Sequence, residues 1–188
     1  GAGAMAALLG AEMALAEEIC AAAAEAPDGE TEIVQPANDN GGGQVVISGH
    51  KSAVERAIEI AKAKGVRRAM LLPVSAPFHC ALRAPAAPAM AEALERTPPA
   101  MPLLPVVANV SAARATDPAE ISRLLVEQVT ATVRWRESMQ AMAAIGVNSF
   151  LELGAGKVLT GLVRRILPEA AAAAAGTPAE IEAMLKLL

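Results

Sequence analysis

Two strand-like runs, residues 30–37 and 44–48, stand on either side of Asn38-Asp39-Asn40-Gly41-Gly42-Gly43, a stretch of turn-forming residues. Two strands joined by a turn are the expected result. The flanking segments narrow the fold further. An apolar run at residues 4–9 stops at Gly10, and residues 12–25 carry the pattern of a helix; beyond the second strand, residues 52–64 read as a helix and 66–74 as a strand. The element order is βαββαβ, and about seventy residues suffice for such a module. Ser52, with Glu55 three residues on and Val54, Ile58 and Ala61 around it, reads as the capping box of the second helix. His50 is then a turn residue.

This order is the split-βαβ layout of ferredoxin-like domains, expected for residues 1–74 of an α/β chain. After it the character changes. Residues 88–96 read as a helix and 103–110 as a strand, with Pro105 marking an edge or a bulge. Asp117-Pro118-Ala119-Glu120 opens another helix, with an N-cap, a proline in the first turn and a capping-box glutamate. Gln128 falls seven residues after Ile121 and four after Leu124, on that helix's apolar face. A buried amide left unpaired costs on the order of 1–3 kcal/mol, so Gln128 is expected to have a partner. Trp135 begins a helix in which Met139 and Met142 read as core. Residues 148–153 read as a strand, and Gly154-Ala155-Gly156-Lys157 turns into a helix ending near Ile166. The alanine run 170–175 reads as a helical tail or loose linker. Thr177-Pro178-Ala179-Glu180 opens an amphipathic helix with Ile181, Met184, Leu185 and Leu188 on one face, a stripe expected to lack a partner in this chain alone.

A formal net charge of −4 argues against nucleic acid as a partner, because phosphate binding calls for a basic face. The basic groups Lys64, Arg67, Arg68 and Lys157, Arg164, Arg165 read as solvated surface, or as patches able to steer an acidic partner. Two cysteines without C-x-x-C spacing and only two histidines make no metal cage, and a reduced cytoplasmic setting is expected. Cys20 reads as core and Cys80 as partly exposed. No apolar run is long enough to span a membrane. The glycines before Lys157 lack the phosphate-loop spacing, and Val158 stands where that loop needs Ser or Thr; tight helix–strand packing is the simpler role.

The chemistry concentrates in Val74-Ser75-Ala76-Pro77-Phe78-His79-Cys80, where a proline-stiffened loop holds a histidine just after a strand. Histidine is the side chain whose unperturbed pKa lies near neutrality, which suits a general base. This loop combines with further blocks. They are Gly1-Ala2-Gly3-Ala4-Met5-Ala6-Ala7, Asn38-Asp39-Asn40 leading into Gly43 to His50, Pro105-Val106-Val107-Ala108-Asn109-Val110, Val133-Arg134-Trp135, and Glu152-Leu153-Gly154-Ala155-Gly156-Lys157-Val158-Leu159. Together they resemble the malonyl-CoA:acyl carrier protein transacylase family from residue 1 to about 166.

The resemblance implies that residues 75–168 are the C-terminal part of an α/β-hydrolase-like large subdomain, followed at 169–188 by an Ala-rich linker and helix. It implies His79 as general base and acid, the main-chain carbonyl of Gln128 as the group that orients it, and Phe78 as a bulky wall selecting malonyl. Asn38, Asn40 and Gln44 become contacts for carrier or pantetheine, although Gly41-Gly42 depart from the usual Ser-Pro. A coenzyme A thioester and acyl carrier protein are the implied substrates, with no metal or cofactor, no nucleic acid, no membrane, and a monomeric parent enzyme in fatty acid biosynthesis. The family's nucleophile is a serine in Gly-x-Ser-x-Gly, and this chain has no such motif. Gly49-His50-Lys51-Ser52 lacks the trailing glycine. The family's carboxylate-binding arginine and oxyanion glutamine also precede the matching region. The chain is therefore expected to be the C-terminal portion of a longer enzyme and inactive alone. A polyketide synthase acyltransferase domain is the same-class alternative. A non-catalytic ferredoxin-like binding module would account for residues up to 74 only.

Overall fold

Strand β1 (Gly3–Leu9) is buried on both faces from Met5 to Leu8, so its sequence is continuously apolar instead of alternating. A computed structural model describes residues 3–186, and Gly1, Ala2 and Leu188 of the sequence-based expectations lie outside the described residues. After β1 come α1 (Met13–Ala24), β2 (Val34–Asp39), β3 (Gln44–His50), α2 (Lys51–Ala63) and β4 (Arg68–Leu71). The strands form one antiparallel sheet in the order β2-β3-β1-β4. On one face Leu8, Val45 and Ile47 pack against Ala16, Ile19 and Cys20 of α1 and Val54, Ala57 and Ala61 of α2. The alanines let both helices approach the sheet closely. On the opposite face lie Met5, Ala37 and Val46 with Leu72, and the buried Ser48 stands cross-strand from Gln35.

Local chemistry corrects several sequence-based boundaries. Strand β2 starts at Val34, because the Glu32 N–H donates to Ala24 O at 2.8 Å and the Ile33 N–H to His50 Nδ1 at 2.9 Å instead of to the β3 backbone. The Glu32 side chain is engaged by Ser52 and by Arg56 Nη2 at 2.7 Å, which hold its carboxyl below the usual carboxylate range. The strand then runs through an irregularity between Pro36 and Asn38 to Asp39, so Asn38 belongs to the strand and not to the turn. Gly41, Gly42 and Gly43 make the turn with φ of 71°, 59° and 70°, a conformation costly for other residues. The capping box at Ser52 does not form: α2 begins at Lys51, and the Ser52 hydroxyl donates to Glu32 instead. His50 ends β3, where its Nδ1 accepts the Ile33 N–H at 2.9 Å.

Beyond β4, a 3-10 helix Ala81–Ala86 leads into α3 (Ala87–Arg96), then β5 (Val106–Val107), β6 (Arg114–Ala115), α4 (Pro118–Glu127) and α5 (Trp135–Ala144). The strand expected at 103–110 shrinks to the two residues of β5, which pair only with β6. Pro102 and Pro105 remove ladder donors just before it. Helix α4 starts as expected, with Asp117 Oδ2 accepting the Glu120 N–H at 2.8 Å and proline in the first turn.

The chain divides into two compact units, Gly1–Ser138 and Met139–Leu188. In the second, β7 (Ser149–Leu153), α6 (Val158–Ile166) and β8 (Ala171–Ala175) form a βαβ unit whose strands pair in parallel, and α7 (Pro178–Leu185) follows. The alanine run is therefore a strand, not a helical tail or linker. Arg164 Nη2 donates to Ala172 O at 2.8 Å, which helps hold it extended, and Thr160 Oγ1 lies 3.2 Å from Ala173 O. Helix α7 carries the expected capping box between Thr177 and Glu180, and its Ile181 and Leu185 remain exposed.

Among the described residues, no helix is long and apolar enough to cross a membrane, and no group of three metal-ligating side chains is assembled. Cys20 is buried in the main core, which pushes its thiol up to about 12, with Glu17 adding to the shift. Cys80 is fully buried, contrary to the partial exposure expected, and its Sγ donates to Pro77 O. Both thiols are buried out of reach of solvent, so neither cysteine should react with a disulfide reagent in the native chain. Titration is expected to release thiol only on addition of denaturant; rapid labelling of either cysteine in buffer would contradict this burial.

Candidate active site

The loop carrying His79 is seated by contacts that begin where β4 ends. Leu72 N–H donates to Met5 O at 2.9 Å, and the chain then leaves the sheet. Pro77 returns against β1 so closely that a Cβ on Gly3 would lie 2.3 Å from its ring. His79 has φ of 55°, a region that non-glycine residues enter seldom and that costs about 1–3 kcal/mol where it is held. Its Nδ1 lies 3.0 Å from the main-chain oxygen of Gln128. A carbonyl oxygen only accepts, so Nδ1 carries the proton, and Nε2 of the neutral ring presents a free lone pair.

Gln128 has this oxygen to offer because of where α4 stops. It is the C-cap residue, its own N–H donates to Leu124 O at 3.0 Å, and the last carbonyls of a helix have no partner within it. Its side-chain Oε1 accepts from Asn109 Nδ2 at 3.0 Å, meeting the expectation of a paired amide. The two amides border a cleft of about 140 Å³ whose other walls include Val106, Ile121, Leu124 and Leu125.

Past α4 the chain is fastened along β2. Thr132 Oγ1 donates to Pro36 O at 2.7 Å, Val133 N–H to Ala37 O at 2.8 Å, and Asp39 N–H to Val133 O at 2.9 Å. Asp39 is buried, with Arg136 Nη2 at 2.7 Å and Nε at 2.9 Å on one carboxylate oxygen and the Gly41 N–H on the other. This ion pair braces the hairpin against the start of α5. Sequence reading singled out neither partner: they are 97 positions apart.

The structure thus joins His79 to Gln128 and seats Asn38 beside Val133. Asn40 N–H donates to Gln44 O at 3.0 Å, which keeps both residues at the hairpin turn. Phe78 is 41% exposed, and the Arg83 guanidinium lies 5.7 Å from its ring centroid, within cation–π range. In the second unit the start of α6 is occupied by the chain's own carboxylate. Glu152 accepts from the Thr160 hydroxyl and N–H, both at 2.7 Å, and from the Leu159 N–H at 3.2 Å, which lower its pKa. The glycine turn therefore leads into a helix end capped by Glu152; a Cβ on Gly154 or Gly156 would meet nothing within 4 Å, so these glycines supply positive φ (132° and 92°) and not the tight helix–strand approach expected from sequence.

An α/β chain whose loop histidine is oriented by a helix-terminal carbonyl has the elements of a proton-transfer site. The chain belongs to the acyl transferase domain family, which it matches over residues 1–185. Malonyl CoA-acyl carrier protein transacylase of Escherichia coli strain K12 is 45% identical over 187 residues, covering 100% of this chain and 59% of the relative. The crystal structure of acyl-carrier-protein-S-malonyltransferase from Bartonella henselae superposes with a TM-score of 0.91 at 51% identity, covering 100% of this chain and 58% of that one. A malonyl-transacylase solved in complex with its type II PKS acyl-carrier protein gives 0.93 at 40% identity, over 100% and 59% of the two chains. The chain thus spans less than two thirds of the length of the curated relatives it matches.

Proposed function

We propose that this chain supplies the general base and its orienting carbonyl to a malonyl-CoA:acyl carrier protein transacylase of fatty acid biosynthesis. The observation that carries the reading is the 3.0 Å contact between His79 Nδ1 and Gln128 O. It selects the tautomer whose Nε2 can take a proton, the role a third triad member plays elsewhere. In the first half-reaction a serine outside this chain adds to the malonyl thioester as Nε2 takes its proton; the C–S bond breaks and the proton passes to the departing coenzyme A thiolate. In the second, Nε2 takes the proton of the phosphopantetheine thiol, sulfur adds to the acyl-serine, and the ester C–O bond breaks with return of the proton to serine. Neither half-reaction requires a metal or cofactor.

Phe78 is placed as the wall against α-branched acyl groups, a preference worth ~1–3 kcal/mol per added carbon. Asn38, Asn40 and Gln44, around the hairpin turn, are placed against the pantetheine arm of acyl carrier protein. The observed strand order supports a ferredoxin-like subdomain at 1–74, with residues 75–168 as the end of a hydrolase-like subdomain and 169–188 as a terminal extension. The cytoplasm is the proposed compartment, consistent with two free, buried cysteines. A polyketide carrier is a second reading, favoured by the 40% identical relative solved with one.

The chain alone is expected to be inactive, because it lacks a Gly-x-Ser-x-Gly nucleophile. The test compares malonyl transfer from malonyl-CoA to phosphopantetheinylated carrier, of either type, by two proteins. One is the isolated chain, expected to give no transfer. The other is the chain joined behind the part of the Escherichia coli relative that it does not cover, expected to restore transfer. Turnover by the isolated chain above a His79→Ala control, or a folded joined protein without activity, would overturn the reading.

A further inference from the structure

We infer that Gln35 is a positioning residue that sets the distance between His79 and the Gln128 carbonyl. Its side-chain Oε1 accepts the N–H of Ala81 at 3.1 Å, and its Nε2 lies 3.4 Å from the carbonyl oxygen of Thr130. Ala81 stands two residues after His79, and Thr130 two residues after Gln128. One planar amide therefore bridges corresponding points of the two segments that meet in the His79–Gln128 contact.

The segments differ in how firmly they are otherwise held. The one after Gln128 is laced to β2 through Thr132 and Val133. The histidine loop lies outside regular structure, and His79 is in a costly backbone conformation that its surroundings must maintain. Gln35 is the point at which β2 grips that loop by hydrogen bonding, directly beside the rigid segment. Packing does not call for an amide there: the same sheet face carries Met5, Ala37 and Val46. The adjacent Ser48 is buried with no hydrogen-bond partner among the described residues, so Gln35 is not there to satisfy it.

Only an amide fits both contacts. Glutamate would keep an acceptor for Ala81 N–H but turn a second oxygen toward Thr130 O, and leucine would keep neither. The consequence for catalysis rests on His79 being the base. The geometric claim does not, and it can be read in this chain without turnover.

The sequence contains only His50 and His79, and they hold opposite tautomers when neutral. His79 donates from Nδ1, whereas His50 Nδ1 accepts from Ile33 N–H and so carries its proton on Nε2. Nitrogen NMR of 15N-histidine-labelled chain distinguishes the two, and His50, anchored at the start of the same strand region, reports general damage to β2. In Q35L the Nδ1–H form of His79 is expected to be lost to a mixture of tautomers while His50 is unchanged; in Q35E a partial loss is expected. Q35E is the variant to read if Q35L does not fold. An unchanged His79 in a folded variant, or an equal change at both histidines, would overturn the positioning role. Failure of the transfer assay with these spectra intact would instead count against His79 as the base.

Discussion

Replacing His79 by alanine in the joined enzyme is expected to lower kcat/KM for malonyl transfer about 100- to 10,000-fold, the usual contribution of a positioned base. That is about 2.7–5.4 kcal/mol of transition-state stabilisation. The loss should fall on kcat, because the role proposed for the imidazole is to move protons and not to hold the thioester. Alanine also occupies the φ of 55° less comfortably than histidine. His79→Asn is therefore the companion variant: it tolerates the left-handed backbone and cannot serve as the base. Both should be equally impaired, with thermal transitions that differ between them. A fall of less than about tenfold in folded His79→Asn would remove His79 from the mechanism.

Ile47→Ala is expected to destabilise the first unit by about 2–5 kcal/mol, the range for deleting a fully buried branched side chain. Ile47 has no exposed surface and lies on β3 between Ala6 of β1 and Pro36 of β2. The surrounding core is rich in alanines, which have no rotamers with which to refill the space. Against a total stability of about 5–15 kcal/mol this is a large fraction. The single tryptophan, Trp135, lies in the same unit and makes denaturant unfolding readable by fluorescence. A loss below about 1 kcal/mol would mean that the site collapses onto the cavity, and that this face is packed less tightly than the burial indicates.

The contact between His79 and Gln128 was expected from the family resemblance, and local signals mark only where each residue stands in the chain. Pro77 and the preceding strand identify a stiff loop at His79, and the Asp117-Pro118 start phases α4 so that Gln128 follows Ile121 and Leu124 on one face; that the helix stops there is seen only in the structure. The braces were not legible. Gln35 and Asp39 are ordinary polar residues of a strand and its end, and their partners come from segments about 46 and 97 positions away. No periodicity or spacing connects such pairs. The resemblance in sequence led to His79, Gln128 and Phe78, but it gave no reason to look at Gln35, Arg136 or Arg83.

The sequence by itself determined the βαββαβ order, the start of α4, the capping box of α7 and the lack of a serine elbow, because each depends on residues within a few positions of one another. Tertiary structure decided the rest. Ser52 gives up its cap because Glu32, twenty residues away, is a better partner for its hydroxyl. Alanine has the highest helix propensity, yet Ala171–Ala175 is a strand. A run that short gains too little from helix propagation to offset nucleation, whereas parallel pairing with β7 from Ala171 to Ala175 satisfies the backbone groups on one side of the strand, and Arg164 donates to the Ala172 carbonyl.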